Sequence, residues 1–150
     1  MEKILIIFLA SILIWLMYIG LVFLWVVDGR VRKETALHAF ISSVIAWIFS
    51  QMIKTLIPTP RPFVLNGRIT ETLTVFRDGA FPSGHAALAF ALATTIWLHN
   101  KKLGILYLIG ALVIGAARVL GNVHYPIDIV GGAVIGIVIA FVIEKLHLKT

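Results

Sequence analysis

The chain is built from long apolar runs separated by short polar connections. The first run, Ile4 to Val27, carries no charged residue. At about 1.5 Å per residue it can cross a hydrocarbon core of roughly 30 Å as a helix. Further apolar runs follow at 36–57, 83–99, 103–120 and 126–143. A helix satisfies its own backbone in lipid, so each run predicts a membrane helix. The expected fold is an all-α integral membrane protein, a single compact bundle of about five transmembrane helices, with residues 1–150 forming one domain. The 83–99 run is short and alanine-rich (Ala86, Ala87, Ala89, Ala91, Ala93), and the last run offers a small-xxx-small face at Gly132 and Gly136. Small residues let membrane helices approach closely, so the last three runs should form a tight core, with the first run more lipid-facing. That first run is longer than the apolar region of about 7–15 residues in a signal peptide, and it ends in Val27-Asp28-Gly29-Arg30 rather than at a small-residue cleavage site.

Composition agrees with this pattern. Hydrophobic residues make up 60% of the chain and charged residues 13%, against roughly 45–50% and about 25% in soluble domains. The net charge of +6 does not point to nucleic acid, because the cations stand in short groups between apolar runs. Such placement sets topology and reserves a few cations for an anionic substrate. The chain has no cysteine, which excludes disulfides and thiolate chemistry.

Five crossings put the 28–35 and 99–102 connections and the C-terminal tail on one side, with Arg30, Arg32, Lys33, Lys101, Lys102, Lys145 and Lys149. The other side receives the N-terminus and the 58–82 and 121–125 connections, with Lys3, Lys54, Arg61, Arg68, Arg77 and Arg118. Three of the latter belong to the constellation described next. The positive-inside rule then predicts a multi-pass cell-membrane protein with its N-terminus outside and its C-terminus cytoplasmic.

Three separated segments meet on this outer face: Lys54 through Arg61-Pro62, Phe81-Pro82-Ser83-Gly84-His85, and Ala117-Arg118 with His124-Tyr125-Pro126-Ile127-Asp128. Lys54, Arg61 and Arg118 exceed the acids available on that face, which are Glu71, Asp78 and Asp128. Cations near lipid are costly unless partnered, and a phosphate would neutralise them. Ser83 suits an N-cap, leaving free N–H groups for an anion, and Gly84 lets the backbone come close to it. Pro126 suits a first helical turn. His124 and Asp128, four apart, form a base–orienter pair that leaves one imidazole nitrogen as nucleophile. His85 is placed to protonate a leaving oxygen, and the cations would stabilise the transferring phosphoryl group. Two histidines and a carboxylate can also bind zinc or iron, but surrounding cations oppose a divalent metal, so no metal or other cofactor is expected.

Lys54-x6-Arg61-Pro62, Pro82-Ser83-Gly84-His85 and Arg118-x5-His124-x3-Asp128 together resemble the three-part signature of the type 2 phosphatidic acid phosphatase (PAP2) superfamily. The resemblance implies a phosphohistidine on His124, oriented by Asp128, with His85 as general acid. It also implies phosphate binding by Lys54, Arg61, Ser83, Gly84 and Arg118. The third motif usually begins Ser-Arg, and Ala117 here removes a hydroxyl, so weaker anchoring is expected. Membrane members commonly have six spans rather than five. The runs Arg61-Pro62-Phe63-Val64 and Val123 to Asp128 are similar to bacterial undecaprenyl-diphosphate phosphatases. This implies a metal-independent lipid phosphatase acting on a polyprenyl diphosphate in the outer leaflet. Phosphatidic acid or phosphatidylglycerol phosphate is the alternative substrate, and a non-catalytic scaffold or a transport protein the alternative class. Its partners would be lipid phosphates and membrane lipids, with no nucleic acid, and the sequence does not set the oligomeric state. The 63–80 loop, with Arg68 and Arg77, is the expected cover over the head group.

Overall fold

The computed structural model describes residues 2–29, 31–73 and 78–147; Arg30, Arg77 and Lys149 lie outside them. Each apolar run is helical. The described elements are α1 (Glu2–Ser11), α2 (Leu13–Val26), α3 (Lys33–Leu56), α4 (Pro62–Asn66), α5 (Gly84–His99), α6 (Lys101–Leu120) and α7 (Pro126–His147). Among them α3, α6 and α7 are long and apolar enough to cross a membrane, and α1 with α2 makes a fourth candidate, bent by 53°. The remaining run, α5, has 16 residues and so reaches about 24 Å.

The bend in the first run has a local cause. The Arg118 guanidinium donates to the Ala10 carbonyl at 3.4 Å, taking an acceptor that a continuous helix would use internally. Ser11 Oγ accepts from the Leu73 amide at 2.9 Å and bonds to Thr72 Oγ1 at 3.0 Å. At this point the ladder tightens, and Trp15 N bonds to Ile12 O. Side chains entering the helical ladder are a known origin of sharp kinks.

α5 is the hub of the bundle. α3, α6 and α7 pack around it far more closely than α6 and α7 pack on each other, and Ala86, Ala87, Ala89, Leu92, Ala93 and Ile96 are fully enclosed. The predicted glycine face is where α7 meets α5. A Cβ on Gly132 would stand 2.4 Å from Ser83 O, and one on Gly136 would stand 2.5 Å from Ala87 O. The core also includes α3, which the sequence reading left outside it. Its buried positions Thr35, Ala39, Ser42, Ala46 and Ser50 recur at three- and four-residue spacing, a stripe of small residues on one helix face. Lipid tails are as apolar as leucine, so hydrogen bonds between helices supply part of the cohesion. Ser42 bonds to Thr95 across α3 and α5 at 2.9 Å, Tyr18 to Ser43 across α2 and α3 at 2.7 Å, and Tyr107 of α6 donates to Met17 O of α2 at 3.0 Å. α2 is otherwise loosely held, with Trp15, Ile19, Phe23 and Val26 exposed, as expected for the lipid-facing run.

The chain reverses direction at each connection. The C-terminal ends of α3 and α6 and the N-terminal ends of α5 and α7 therefore lie together. Asn100 alone joins α5 to α6, capping α6 by accepting from Leu103 N at 3.1 Å.

Gly136→Ala should lower the melting temperature in detergent, with overpacking costing on the order of 1–3 kcal/mol, because backbone atoms face the new methyl. Gly110→Ala should melt near wild type, since the nearest atom there is the flexible Met17 thioether at 3.3 Å. Equal losses in both would show that the α5–α7 contact is not special.

Candidate active site

All three motif segments converge at this shared end of the bundle. Lys54, Arg61, Gly84, His85, Arg118 and His124 line one cavity of about 740 Å³. Ser83 and Asp128 stand directly behind it and are fully buried. The eight residues singled out in the sequence are thus brought together.

His124 precedes α7, whose first residue is Pro126, and Asp128 sits in the first turn of that helix. The Asp128 carboxylate accepts from the Tyr125 amide at 2.8 Å, which fixes its orientation. The same oxygen lies 3.4 Å from His124 Nδ1. A carboxylate only accepts, so Nδ1 carries the proton and Nε2 the lone pair. His124 Nε2 faces Arg61 Nη1 at 3.4 Å. Burial pushes the His124 pKa down to about 4; the Asp128 hydrogen bond opposes this, and Arg118, Arg61 and Lys54 reinforce it. The ring is therefore neutral at neutral pH, with its Nε2 lone pair turned to the Arg61 guanidinium.

Arg61 is buried and anchored at three points. Nε donates to Asp78 O at 3.0 Å, Nη1 to Val123 O at 3.1 Å, and Nη2 to Asp78 Oδ1 at 2.6 Å. Lys54 Nζ donates to Gly79 O at 3.1 Å and lies 3.4 Å from Asp78 Oδ2. Arg118 lines the same cavity while donating to Thr72 Oγ1 at 3.1 Å and to Ala10 O, so it ties the loop and the first helix to the site. Ser83 caps α5, its Oγ accepting from Ala86 N at 3.4 Å, and its own amide donates to Asp128 O at 2.9 Å. Gly84 has a packing reason beside the predicted one: a Cβ there would meet Trp47 at 3.1 Å and Ser50 at 3.3 Å.

Asp78 is the residue whose position the sequence did not reveal. Its two carboxylate oxygens divide between Arg61 and Lys54, where a phosphate was expected. Burial resists ionisation of Asp78, but the Arg61 hydrogen bond and the Lys54 charge outweigh it and hold the carboxyl below its ordinary range. Its only sequence signal was being one of three acids on a cation-rich face.

The described part of the loop is fastened to the connection between α6 and α7. Asn66 and Asn122 exchange side-chain hydrogen bonds at 2.8 and 3.1 Å, Asn122 also donates to Arg68 O at 3.3 Å, and Glu71 N donates to Gly121 O at 3.1 Å. Below the polar end the cavity continues as an apolar groove between α2 and α3, past Tyr18, Leu21, Phe40 and Val44 to Trp25 and Leu37. Trp15, Trp25 and Trp47 also line it. His85, His124 and Asp128 are not among the described side chains whose ligand atoms are close enough to share one metal ion.

A neutral Asp78→Asn side chain should compete less for Lys54 and Arg61, while the backbone bond from Arg61 to residue 78 persists. Inorganic phosphate should then inhibit more strongly, with an inhibition constant lower by about threefold or more. A higher constant would mean that Asp78 holds the cations in place rather than occupying the anion's position.

A family model described as the PAP2 superfamily matches residues 35–150. The bacitracin transport permease protein BcrC of Bacillus licheniformis is 31% identical over 133 residues, covering 89% of this chain and 66% of that one. The undecaprenyl-diphosphatase BcrC of Bacillus subtilis (strain 168) is 28% identical over 118 residues, covering 79% and 61%. This chain thus spans about two thirds of the length of these relatives. Among solved structures, LpxE of Aquifex aeolicus superposes with a TM-score of 0.73 at 27% identity, covering 96% of this chain and 84% of that chain.

Proposed function

Because the chain belongs to the PAP2 superfamily, we propose that it is a lipid phosphatase that hydrolyses a polyprenyl diphosphate, undecaprenyl diphosphate first, through a phosphohistidine on His124. The observation that carries this reading is the junction of two environments in one cavity. Lys54, Arg61, Arg118 and His124 gather at its end, and an apolar groove leads away from them between α2 and α3. A phosphate head and a hydrocarbon tail fit those halves respectively. Similarity to the undecaprenyl-diphosphatase of Bacillus subtilis favours the diphosphate over phosphatidic acid or phosphatidylglycerol phosphate, which the same geometry also suits.

In the proposed reaction the terminal phosphate displaces the Asp78 carboxylate and takes its partners Lys54 and Arg61. Arg118 and the Gly84 and His85 amides at the start of α5 receive the remaining oxygens. His124 Nε2 attacks phosphorus, the bond to the bridging oxygen breaks, and His85 passes a proton to that leaving oxygen. Asp128 stabilises the imidazolium character that develops as the N–P bond forms. Water then attacks the phosphohistidine, giving its proton to His85, and inorganic phosphate leaves. The cations carry the charge that a metal would otherwise carry, so the chemistry is metal-independent.

The name of the Bacillus licheniformis relative suggests transport. Ionisable groups at mid-depth mark transport pathways, but the stretches 39–53, 86–98, 103–117 and 129–143 contain no charged residue or histidine. The phosphatase reading therefore stands ahead.

The decisive assay follows phosphate release by detergent-purified protein with EDTA present, offering undecaprenyl diphosphate, phosphatidylglycerol phosphate and phosphatidic acid in turn. Undecaprenyl diphosphate should turn over fastest, with no turnover by His124→Ala and a loss of about 10²–10⁴-fold in Asp128→Asn. An acid-labile phosphoprotein should form in wild type and not in His124→Ala. Preference for another lipid would move the substrate, whereas no turnover of any lipid would favour a scaffold.

The cation bias supports placing the site on the extracytoplasmic side, since Arg32, Lys33, Lys101, Lys102 and Lys145 cluster at the other end. In intact cells a membrane-impermeant thiol reagent should label Leu65→Cys and spare Lys102→Cys. The reverse pattern would invert the topology.

A further inference from the structure

At the end of the bundle remote from the phosphate site, three helices bring together side chains that the reaction does not use. His38 lies near the start of α3, His99 is the last residue of α5, and Glu144 lies near the end of α7. Their candidate ligand atoms all fall within 4.8 Å of one another. His99 Nε2 is 3.4 Å from Glu144 Oε1, and His38 Nδ1 is 3.9 Å from Glu144 Oε2. A tetrahedral zinc with bonds of about 2.0–2.1 Å holds neighbouring ligand atoms about 3.3–3.4 Å apart. The His99–Glu144 pair already has that spacing, and small side-chain rotations would close the rest.

Two independent details support a ligand here. His99 Nδ1 lies 3.0 Å from the Thr95 carbonyl, which can only accept. The proton is therefore on Nδ1, and Nε2 presents its lone pair toward Glu144, the outer hydrogen bond that metal-binding histidines usually make. Glu144 Oε2 is buried and accepts no hydrogen bond among the described residues, a state that costs free energy unless a cation satisfies it. Lys101, two residues from His99, does not fill that need: its ammonium lies over the Trp97 ring, 3.2 Å from the centroid.

We propose that His38, His99 and Glu144 form a site for a divalent first-row metal with imidazole affinity, zinc foremost. Two imidazoles and one carboxylate leave a fourth position for water. His99 also lines a cleft of about 270 Å³ together with Arg32, Thr35 and Asn100. The metal ties together the far ends of α3, α5 and α7, the helices that carry Lys54, His85 and Asp128 at the site end. It is a clamp on the scaffold and takes no part in the phosphoryl chemistry, so it stands or falls apart from the function proposed above.

The test uses the full chain in detergent, purified through a tag without histidine, stripped with EDTA and desalted. Added zinc should bind at about one per chain with micromolar or tighter affinity and raise the melting temperature by about 5 °C. Cobalt in its place should give the visible absorption of a four-coordinate ion. Glu144→Gln and His99→Ala should weaken binding by at least about tenfold, while His85→Ala and His124→Ala should bind as wild type does. Absence of stoichiometric zinc, or zinc lost only in the His85 and His124 variants, would overturn the proposal. Should the Glu144 and His99 variants fail to fold, the cobalt spectrum of the wild type decides, and a featureless visible region rejects the site.

Discussion

Three cations held out of water within one small volume cannot remain without anions, and the organisation of the site end follows from that constraint. Lys54 and Arg61 come from one segment and Arg118 from another, and all are buried. Each is held by protein acceptors in a way that leaves it able to exchange them. Arg61 keeps two backbone carbonyls and shares one carboxylate. Lys54 keeps one carbonyl and shares the same carboxylate. That carboxylate, Asp78, is still about a third exposed, so it is the component most easily displaced by an incoming dianion. Charge compensation in the resting protein and recognition of substrate are then alternative uses of the same cations.

The cations can be fixed so closely because the helix beneath them is rigid. α5 presents alanines to three neighbours, and glycines on α7 bring backbone against backbone. Side chains with few rotamers lose little entropy on packing, and the interhelical hydroxyl bonds add direction where the hydrophobic effect is weak. α2 lacks this treatment. It is held by Tyr18 and by the Tyr107 bond to its backbone, and its loose attachment leaves the apolar groove along α3.

Much of this was legible in the sequence, for physical reasons. Span ends alternate between faces, so the run boundaries alone gathered Lys54, Arg61, His85, Arg118 and His124, and the spacing of Gly132 and Gly136 marked the α7 contact. The break at Ile12 was not legible, because Arg118 and Thr72, distant in the chain, create it. Asp78 lies in a connection with no periodicity, so nothing local placed it between Lys54 and Arg61. The stripe of Ala39, Ser42, Ala46 and Ser50 did carry a signal for the core, hidden by the hydrophobicity of the other α3 faces. His38, His99 and Glu144 each stand alone in or beside an apolar run, and only the antiparallel return of the chain makes them neighbours.

The shortness of α5 has a consequence for the depth of the site. Sixteen residues give about 24 Å of helix, whereas a typical hydrocarbon core is roughly 30 Å thick. Polar groups at both ends of this helix, which α3, α6 and α7 surround, are therefore drawn inward, below the level that the longer helices reach. A lipid anchored by its head need not lift its tail out of the membrane to bring phosphorus to His124. The recessed helix start carries the reaction down to the substrate.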